Sequence, residues 1–269
     1  MTTGDRIDVL IIGSGLGGCA AALSAARAGA HVVMLTKGVR AEDSNTWEAQ
    51  GGIIYRGVND SPERLAADIV AAGAGLCYPE AVELLSREGP RLVEEVLVSH
   101  AGVPFDRAPD GTLDLTAEAA HSLPRIVHHK DDTGRAIEEA MLAAVRREPN
   151  ATVLCGQTAI DLLSLSHHSR NPLDIYAEPT CVGAYVFDHA SGRVQSLLAK
   201  ETILATGGLG RILSQRGLVE EHDGRASDEA GGEVELLMLE EGNHGCANVA
   251  PWHRPYTADW MAARLRAER

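Results

Sequence analysis

The chain has 269 residues, 45% of them hydrophobic and 23% charged, which excludes a disordered chain, a collagen-like repeat and a small disulfide-stapled module. Its 24 Lys and Arg against 38 Asp and Glu leave a formal charge of −14. A chain this acidic does not hold a phosphate backbone by general attraction, so no nucleic-acid partner is expected, and any phosphate must be gripped locally.

The predicted elements begin with residues 8–13, Asp-Val-Leu-Ile-Ile-Gly, a continuous apolar run closed by glycine. Such a run suits a parallel strand covered on both faces. Residues 19–28 are Ala-rich and free of Pro, which suits a helix lying close on a sheet, and Gly29 suits its C-terminal stop. Residues 31–36 read as the second strand, so 7–36 form one strand–helix–strand unit of about 30 residues. Residues 37–58 have little periodicity and read as a structured loop. Ser61 is placed to cap a helix over 61–72, with Pro62 in its first turn and Leu65, Ile69 and Val70 as its stripe. A helix over 80–100 is expected to break or kink at Gly89-Pro90. Residues 101–130 look irregular. Asp132 or Thr133 can cap a helix running to about Arg147, with Ile137, Met141, Leu142 and Val145 on one face.

A short strand is expected at 152–155, continuing toward Leu163. A hairpin follows over 182–198 around Gly192, then a separate apolar strand over 200–205 closed by Thr206-Gly-Gly208. Past Gly217 the composition shifts. Residues 218–232 are acidic and almost free of apolar side chains, 234–239 read as a strand and 258–266 as a short helix. The expected division is therefore a domain over 1–215 and a divergent tail over 216–269. The fold class is α/β and Rossmann-like, with a parallel sheet, flanking helices and a small β-hairpin element. Five Cys without a C-x-x-C pair indicate neither zinc nor a disulfide framework, and no metal site is expected. No signal peptide and no apolar run of the ~20 residues that span a bilayer are visible, so a soluble, cytoplasmic protein without a membrane partner is expected.

Gly13-x-Gly15-x-x-Gly18 follows a strand and opens a helix, the context a dinucleotide fingerprint requires. Gly13 permits the tight turn, Gly15 admits a pyrophosphate close to the backbone, and Gly18 lets helix and strand pack. Free N–H groups at the helix start face the phosphate, and the helix dipole favours its charge. Ser14, Leu16 and Gly17 complete this cofactor-binding loop. The second strand ends Met34-Leu35-Thr36-Lys37, without the acidic residue that takes a ribose in the common NAD pattern. Lys37 could instead meet a phosphate or stack over adenine.

Ser44-Asn-Thr-Trp-Glu-Ala-Gln-Gly-Gly52 resembles the second flavin-contacting segment of the succinate dehydrogenase and fumarate reductase flavoprotein superfamily, closest to its L-aspartate oxidases. Further segments agree in order and spacing: Leu35-Thr-Lys-Gly38, Ala72-Gly-Ala-Gly75, Gly102-Val-Pro-Phe105, Arg125-Ile-Val-His128, Asp132-Thr-Gly-Arg135 and Leu204-Ala-Thr-Gly-Gly208. The resemblance spans roughly residues 5–213. It implies an FAD-binding domain in which Asn45, Thr46, Ala49, Gln50, Gly51 and Gly52 wrap the flavin, with further cofactor contacts from Ala159, Ala205, Thr206 and Gly207. Succinate dehydrogenases carry at position 45 a His bound covalently to the flavin. Asn45 cannot make that bond, so the resemblance implies FAD held noncovalently. Glu118 falls where the aspartate oxidases keep a Glu that recognises the substrate ammonium, which would tell L-aspartate from succinate.

The implied chemistry is oxidation of L-aspartate to iminoaspartate with oxygen or fumarate as acceptor, a step of NAD biosynthesis. The family's catalytic Arg, its carboxylate-binding residues and its capping domain have no match in this chain, so a non-catalytic flavin-binding remnant stays open. Asp223, in His222-Asp-Gly224, is the one candidate for a Gly-Asp-Gly that meets the cofactor in the family. The tail, with His244 after a strand, is similar to the end of some α/β-hydrolases, but no G-x-S-x-G nucleophile elbow accompanies it. Nothing in the sequence identifies a partner chain.

Overall fold

The computed structural model describes residues 7–118, 120–176 and 178–208. Asp223, His244 and the expected tail elements lie outside the described residues. The described chain falls into two compact units. One comprises residues up to Ile53, Leu92–Asp114 and Val127–Gly207; the other comprises Ile54–Arg91 and Leu115–Ile126.

The first unit is built on β1 (Ile7–Ile12), α1 (Leu16–Arg27) and β2 (Val32–Leu35). β1 pairs in parallel with β2, and all four residues of β2 are fully buried. That explains a strand without alternation: both faces are covered, and each such side chain contributes about 1.5–3 kcal/mol. A four-residue helix, α2 (Asn45–Glu48), and a two-residue strand, β3 (Ile53–Ile54), close the first segment. The region expected to be loop therefore holds a helical turn. Ser44 starts it, its hydroxyl accepting a hydrogen bond from Trp47 N at 3.3 Å.

The second unit carries α3 (Pro62–Ala72) and most of α4 (Pro79–Leu92). Ser61 caps α3 as expected, accepting from Arg64 N. Of the predicted stripe only Leu65 is buried, while Val70 is exposed. α4 does not break at Gly89-Pro90. Pro90 lies inside the helix, which continues as a π-helical stretch, Val93–Ala101. Proline removes a donor and crowds the preceding turn, yet the helix runs through it, and the wider turns begin three residues later. The stretch expected to be irregular contains two short strands, β4 (Leu115–Thr116) and β5 (Ile126–Val127). Arg125 N donates to Thr116 O at 3.1 Å, and Tyr55 N donates to Arg125 O at 2.7 Å.

Returning to the first unit, α5 (Thr133–Arg147) buries Ile137, Met141, Leu142 and Val145, the face its periodicity predicts. Asp132 is its N-cap residue without a side-chain cap bond. The expected single strand from 152 divides into β6 (Ala151–Leu154) and β7 (Gln157–Ser164), separated at Gly156. A short helix, α6 (Leu165–His168), and a 3₁₀ turn, Pro172–Tyr176, lead to β8 (Cys181–Asp188) and β9 (Arg193–Leu204).

The expected separate strand over 200–205 is the second half of β9. Its first half pairs antiparallel with β8, from Arg193↔Asp188 to Leu198↔Gly183. Its second half pairs parallel with β1, from Ala199↔Ile7 to Leu204↔Ile12. No Gly or Pro interrupts residues 193–204, so one strand passes from hairpin to parallel sheet. The six-stranded sheet runs β6-β2-β1-β9-β8-β7. Its core packs Leu10, Ile12, Val33 and Leu35 against Ala184, Val186 and Ala199.

Candidate functional site

β1 and β9 are parallel neighbours, so their carboxyl ends open on the same edge of the sheet. β2, on the other side of β1, ends there too. Ligands of open α/β sheets sit outside such ends, where neighbouring strands leave in different directions. Three stretches of the first unit meet at this edge.

The glycine loop comes first. Gly13 has φ +117°, and a Cβ there would overlap the Ala205 carbonyl, so only glycine permits the turn beside β9. A Cβ on Gly18 would overlap the Gly13 carbonyl, which is why the helix can start this close to the strand end. Ser14 is buried, its Oγ donating to Ala41 O at 2.6 Å. Gly15 is the N-cap residue of α1 and supplies no side-chain cap bond. Gly17 is exposed, with open space where a side chain would stand.

The second stretch is α2. Thr46 Oγ1 accepts a hydrogen bond from Leu16 N at 3.0 Å and lies 3.2 Å from where a Gly15 Cβ would stand. This bond ties residues 13–18 to residues 45–46. Asn45, Ala49, Gln50 and Gly51 are exposed, while Thr46 and Gly52 are half-buried. The third stretch is 205–207: Ala205 N donates to Ile12 O at 2.8 Å, and Asn45 Nδ2 lies 3.9 Å from where a Gly207 Cβ would stand. Thr206 and Gly207 are exposed. Lys37 stands exposed just past β2. Ala159 is half-buried on β7, two residues beyond Gln157, whose N–H donates to Thr36 O at 2.9 Å.

Sequence reasoning assigned no role to Gly134 and Glu138. A Cβ on Gly134 would overlap the carbonyls of Thr46 and Ala49, and Gly134 N donates to Ala49 O at 2.9 Å. The first turn of α5 therefore presses directly on α2. Glu138, one turn further on, is fully buried, and neither carboxyl oxygen has a hydrogen-bond partner of good geometry. Burial pushes its pKa up to about 7; the Ser44 hydroxyl opposes the rise and the Glu42 charge adds to it. The same burial, with the Glu138 charge adding to it, pushes the Cys19 thiol well above its ordinary value. Two guanidinium groups lie over the Trp47 ring, that of Arg40 at 5.4 Å and that of Arg135 at 4.8 Å from its centroid.

In the second unit Glu118 is exposed and its carbonyl accepts from His121 N at 3.2 Å. The segment that carries it is anchored on Arg125, which is fully buried and paired with Asp60 at 2.9 Å and Asp68 at 2.6 Å. Asp68 also accepts from Ser122 N at 3.0 Å and Ser122 Oγ at 2.9 Å. The Ser122 N–H, with Ser122 Oγ and Arg125 adding to it, holds the Asp68 carboxyl below the usual carboxylate range. Among the described residues no cluster of three or more His, Cys, Asp and Glu is placed to hold a metal ion, and no helix is long and apolar enough to cross a membrane.

FAD fits the first unit on its own geometry. A helix start whose N-cap residue is a glycine without a capping side chain leaves backbone donors beyond Leu16 for a diphosphate, and glycine clears the approach. The FAD binding domain family matches residues 8–231. The L-aspartate oxidase of Halobacterium salinarum is 40% identical over 218 residues, 79% of this chain and 40% of that protein. The chloroplastic L-aspartate oxidase of Oryza sativa subsp. japonica is 38% identical over 206 residues, 76% of this chain and 30% of that protein. A solved E. coli quinol fumarate reductase FrdA variant superposes with a TM-score of 0.67 at 25% identity, over 77% of this chain and 34% of that one. The chain thus spans less than half the length of these relatives. A glycine loop tied to a second loop at the β1–β9 edge, in a sequence matched over most of its length, settles its kinship: the chain belongs to the FAD binding domain family, and FAD is its cofactor.

Proposed function

We propose that this chain is the FAD-carrying part of an oxidoreductase of the L-aspartate oxidase type, taking L-aspartate to iminoaspartate with oxygen or fumarate as acceptor. The observation that carries the reading is the Leu16–Thr46 hydrogen bond, which joins the two loops expected to hold one dinucleotide. The 40% identity to an L-aspartate oxidase supports the substrate class.

In this reading the N–H groups of Gly15, Gly17 and Gly18 receive the diphosphate while that of Leu16 stays on Thr46, Lys37 and Ala159 flank the adenosine end, and residues 45–52 with 205–207 hold the flavin end noncovalently. Bound FAD supplies the acceptor for the hydride that leaves the substrate α-carbon. Glu118 pairs with the substrate ammonium and so separates an amino acid from a plain dicarboxylate. The Arg125–Asp68–Ser122 bonds fix the segment that presents it. Asp223 is assigned to the same cofactor site on its sequence pattern alone. Action in the cytoplasm belongs to this proposal, although the rice relative is chloroplastic.

The second reading is a flavin carrier that does not turn over aspartate. One experiment separates the two. The purified chain is loaded with FAD and mixed anaerobically with L-aspartate. Bleaching of the flavin absorbance supports the oxidase; an unchanged yellow solution supports the carrier; failure to bind FAD refutes both.

A further inference from the structure

Glu138 is a carboxyl in a place that favours its neutral form. It is fully buried, and neither oxygen has a hydrogen-bond partner of good geometry. On α1 it faces Cys19, a buried thiol whose Sγ donates to Ser14 O at 3.1 Å inside the glycine loop. From the loop before α2 it meets Ser44 and Glu42. Arg146, a cation that acts on Cys19, is half-exposed and pairs with Glu42 at 3.2 Å. On α5 itself Arg135 pairs outward with Asp132 and Glu139. The π-helical stretch packed on α5 buries only Val93, Leu97 and Ala101, and β6 contributes Ala151–Leu154, none of them titratable. An ionised Glu138 would therefore be a buried charge offset only weakly, by the Ser44 hydroxyl.

Its position relative to the cofactor loop gives this a consequence. Ser44, which Glu138 meets on one side, lies 3.5 Å through Cβ from where a Gly15 Cβ would stand on the other. Cys19 belongs to the first turns of α1, the helix whose start is assigned to the diphosphate. An ionised Glu138 and a bound diphosphate would be two anions competing for one helix terminus.

We propose that Glu138 is protonated whenever FAD is bound, so that cofactor binding takes up a proton from solvent at this residue. The inference rests on the FAD reading and adds a linkage to it. Free Glu138 titrates near neutrality, so the free protein at pH 7 is a mixture of forms and only the neutral one accepts FAD. By linkage the FAD Kd rises with pH above neutrality and is flat below it. From about pH 6 to about pH 8.5 the increase approaches about thirtyfold if the bound form never ionises.

The test is calorimetric titration of the whole chain with FAD in buffers of different ionisation enthalpy, from about pH 6 to about pH 8.5. Wild type is expected to take up about half a proton per FAD near pH 7 and close to one near pH 8.5. Glu138→Gln is expected to take up none and to show a flat Kd. Proton uptake in the wild type needs no variant, so a misfolded Glu138→Gln does not rescue the idea. Binding with a pH-independent Kd in the wild type, or an unchanged slope in Glu138→Gln, overturns the linkage while leaving the FAD reading intact. Absence of FAD binding at every pH overturns both.

Discussion

Replacing Glu138 by Gln should change how stability depends on pH even without cofactor. In the fold the carboxyl titrates near 7, against 4.5 for an unburied glutamate. Below both values the group is neutral in folded and unfolded chains, and it contributes no penalty. Between them the unfolded chain has released its proton while the folded chain still holds it, so stability falls as pH rises. Above about 7 both states are ionised and the dependence flattens. The full span is about 3 kcal/mol, at about 1.4 kcal/mol for each tenfold difference in proton affinity between the two states. Glu138→Gln carries no such proton. Urea denaturation of both proteins at intervals from about pH 5 to about pH 8 should show the variant gaining about 2–3 kcal/mol on the wild type over that range. Carboxylates with lowered pKa, such as Asp68 and Asp106, push the opposite way but are present in both proteins and cancel in the difference. Two curves that stay parallel across the range would refute the claim that burial keeps Glu138 neutral.

Other perturbations address the joints of the site. Thr46→Val removes the acceptor of Leu16 N, and the loss of about 1–2 kcal/mol should raise the FAD Kd about tenfold in a fluorescence-quenching titration; an unchanged Kd would detach α2 from the cofactor loop. Gly134→Ala drives a methyl into the Thr46 and Ala49 carbonyls and should cost about 1–3 kcal/mol in urea denaturation, together with weaker FAD retention on gel filtration. Arg125→Met leaves Asp60 and Asp68 without their cation and should cost about 3–5 kcal/mol, whereas an exposed pair such as Arg87–Glu83 should cost almost nothing. Asp68 contributes stability above its unfolded pKa and loses it as pH falls through its folded one, so Asp68→Asn should flatten the acid limb of the stability curve. Acid precipitation of the loaded chain should leave all flavin in the supernatant, because Asn45 has no nucleophile for a covalent link; a yellow pellet would refute this.

What could be read from the residues follows the range over which each feature is determined. The β1–glycine–α1 unit is local: the apolar run, Gly13, Gly18 and the alanines that follow state the turn and the packing within about 20 residues. The α5 stripe is local in the same way. α2 was not legible, because four residues hold no helical period; only Ser44 ahead of Trp47 signalled a start. The sequence suggests two strands over 193–204 because Lys200 and Glu201 interrupt the apolar character there, whereas pairing with β1 carries one strand through them. Val70 looked like part of a buried stripe since periodicity marks a face without saying what covers it.

The Leu16–Thr46 bond joins positions 30 apart, and no local pattern encodes it. Glu138 is the instructive case. It stands three and four residues before Met141 and Leu142, on the stripe that α5 buries, so the conflict between an acid and its apolar face was visible in the sequence. A polar residue that breaks a strong local rule is most often found where function has claimed it. Here the rule is broken beside Cys19, whose Sγ is bonded to the turn that carries the fingerprint glycines, so a charge on Glu138 would sit close to the helix start assigned to the diphosphate.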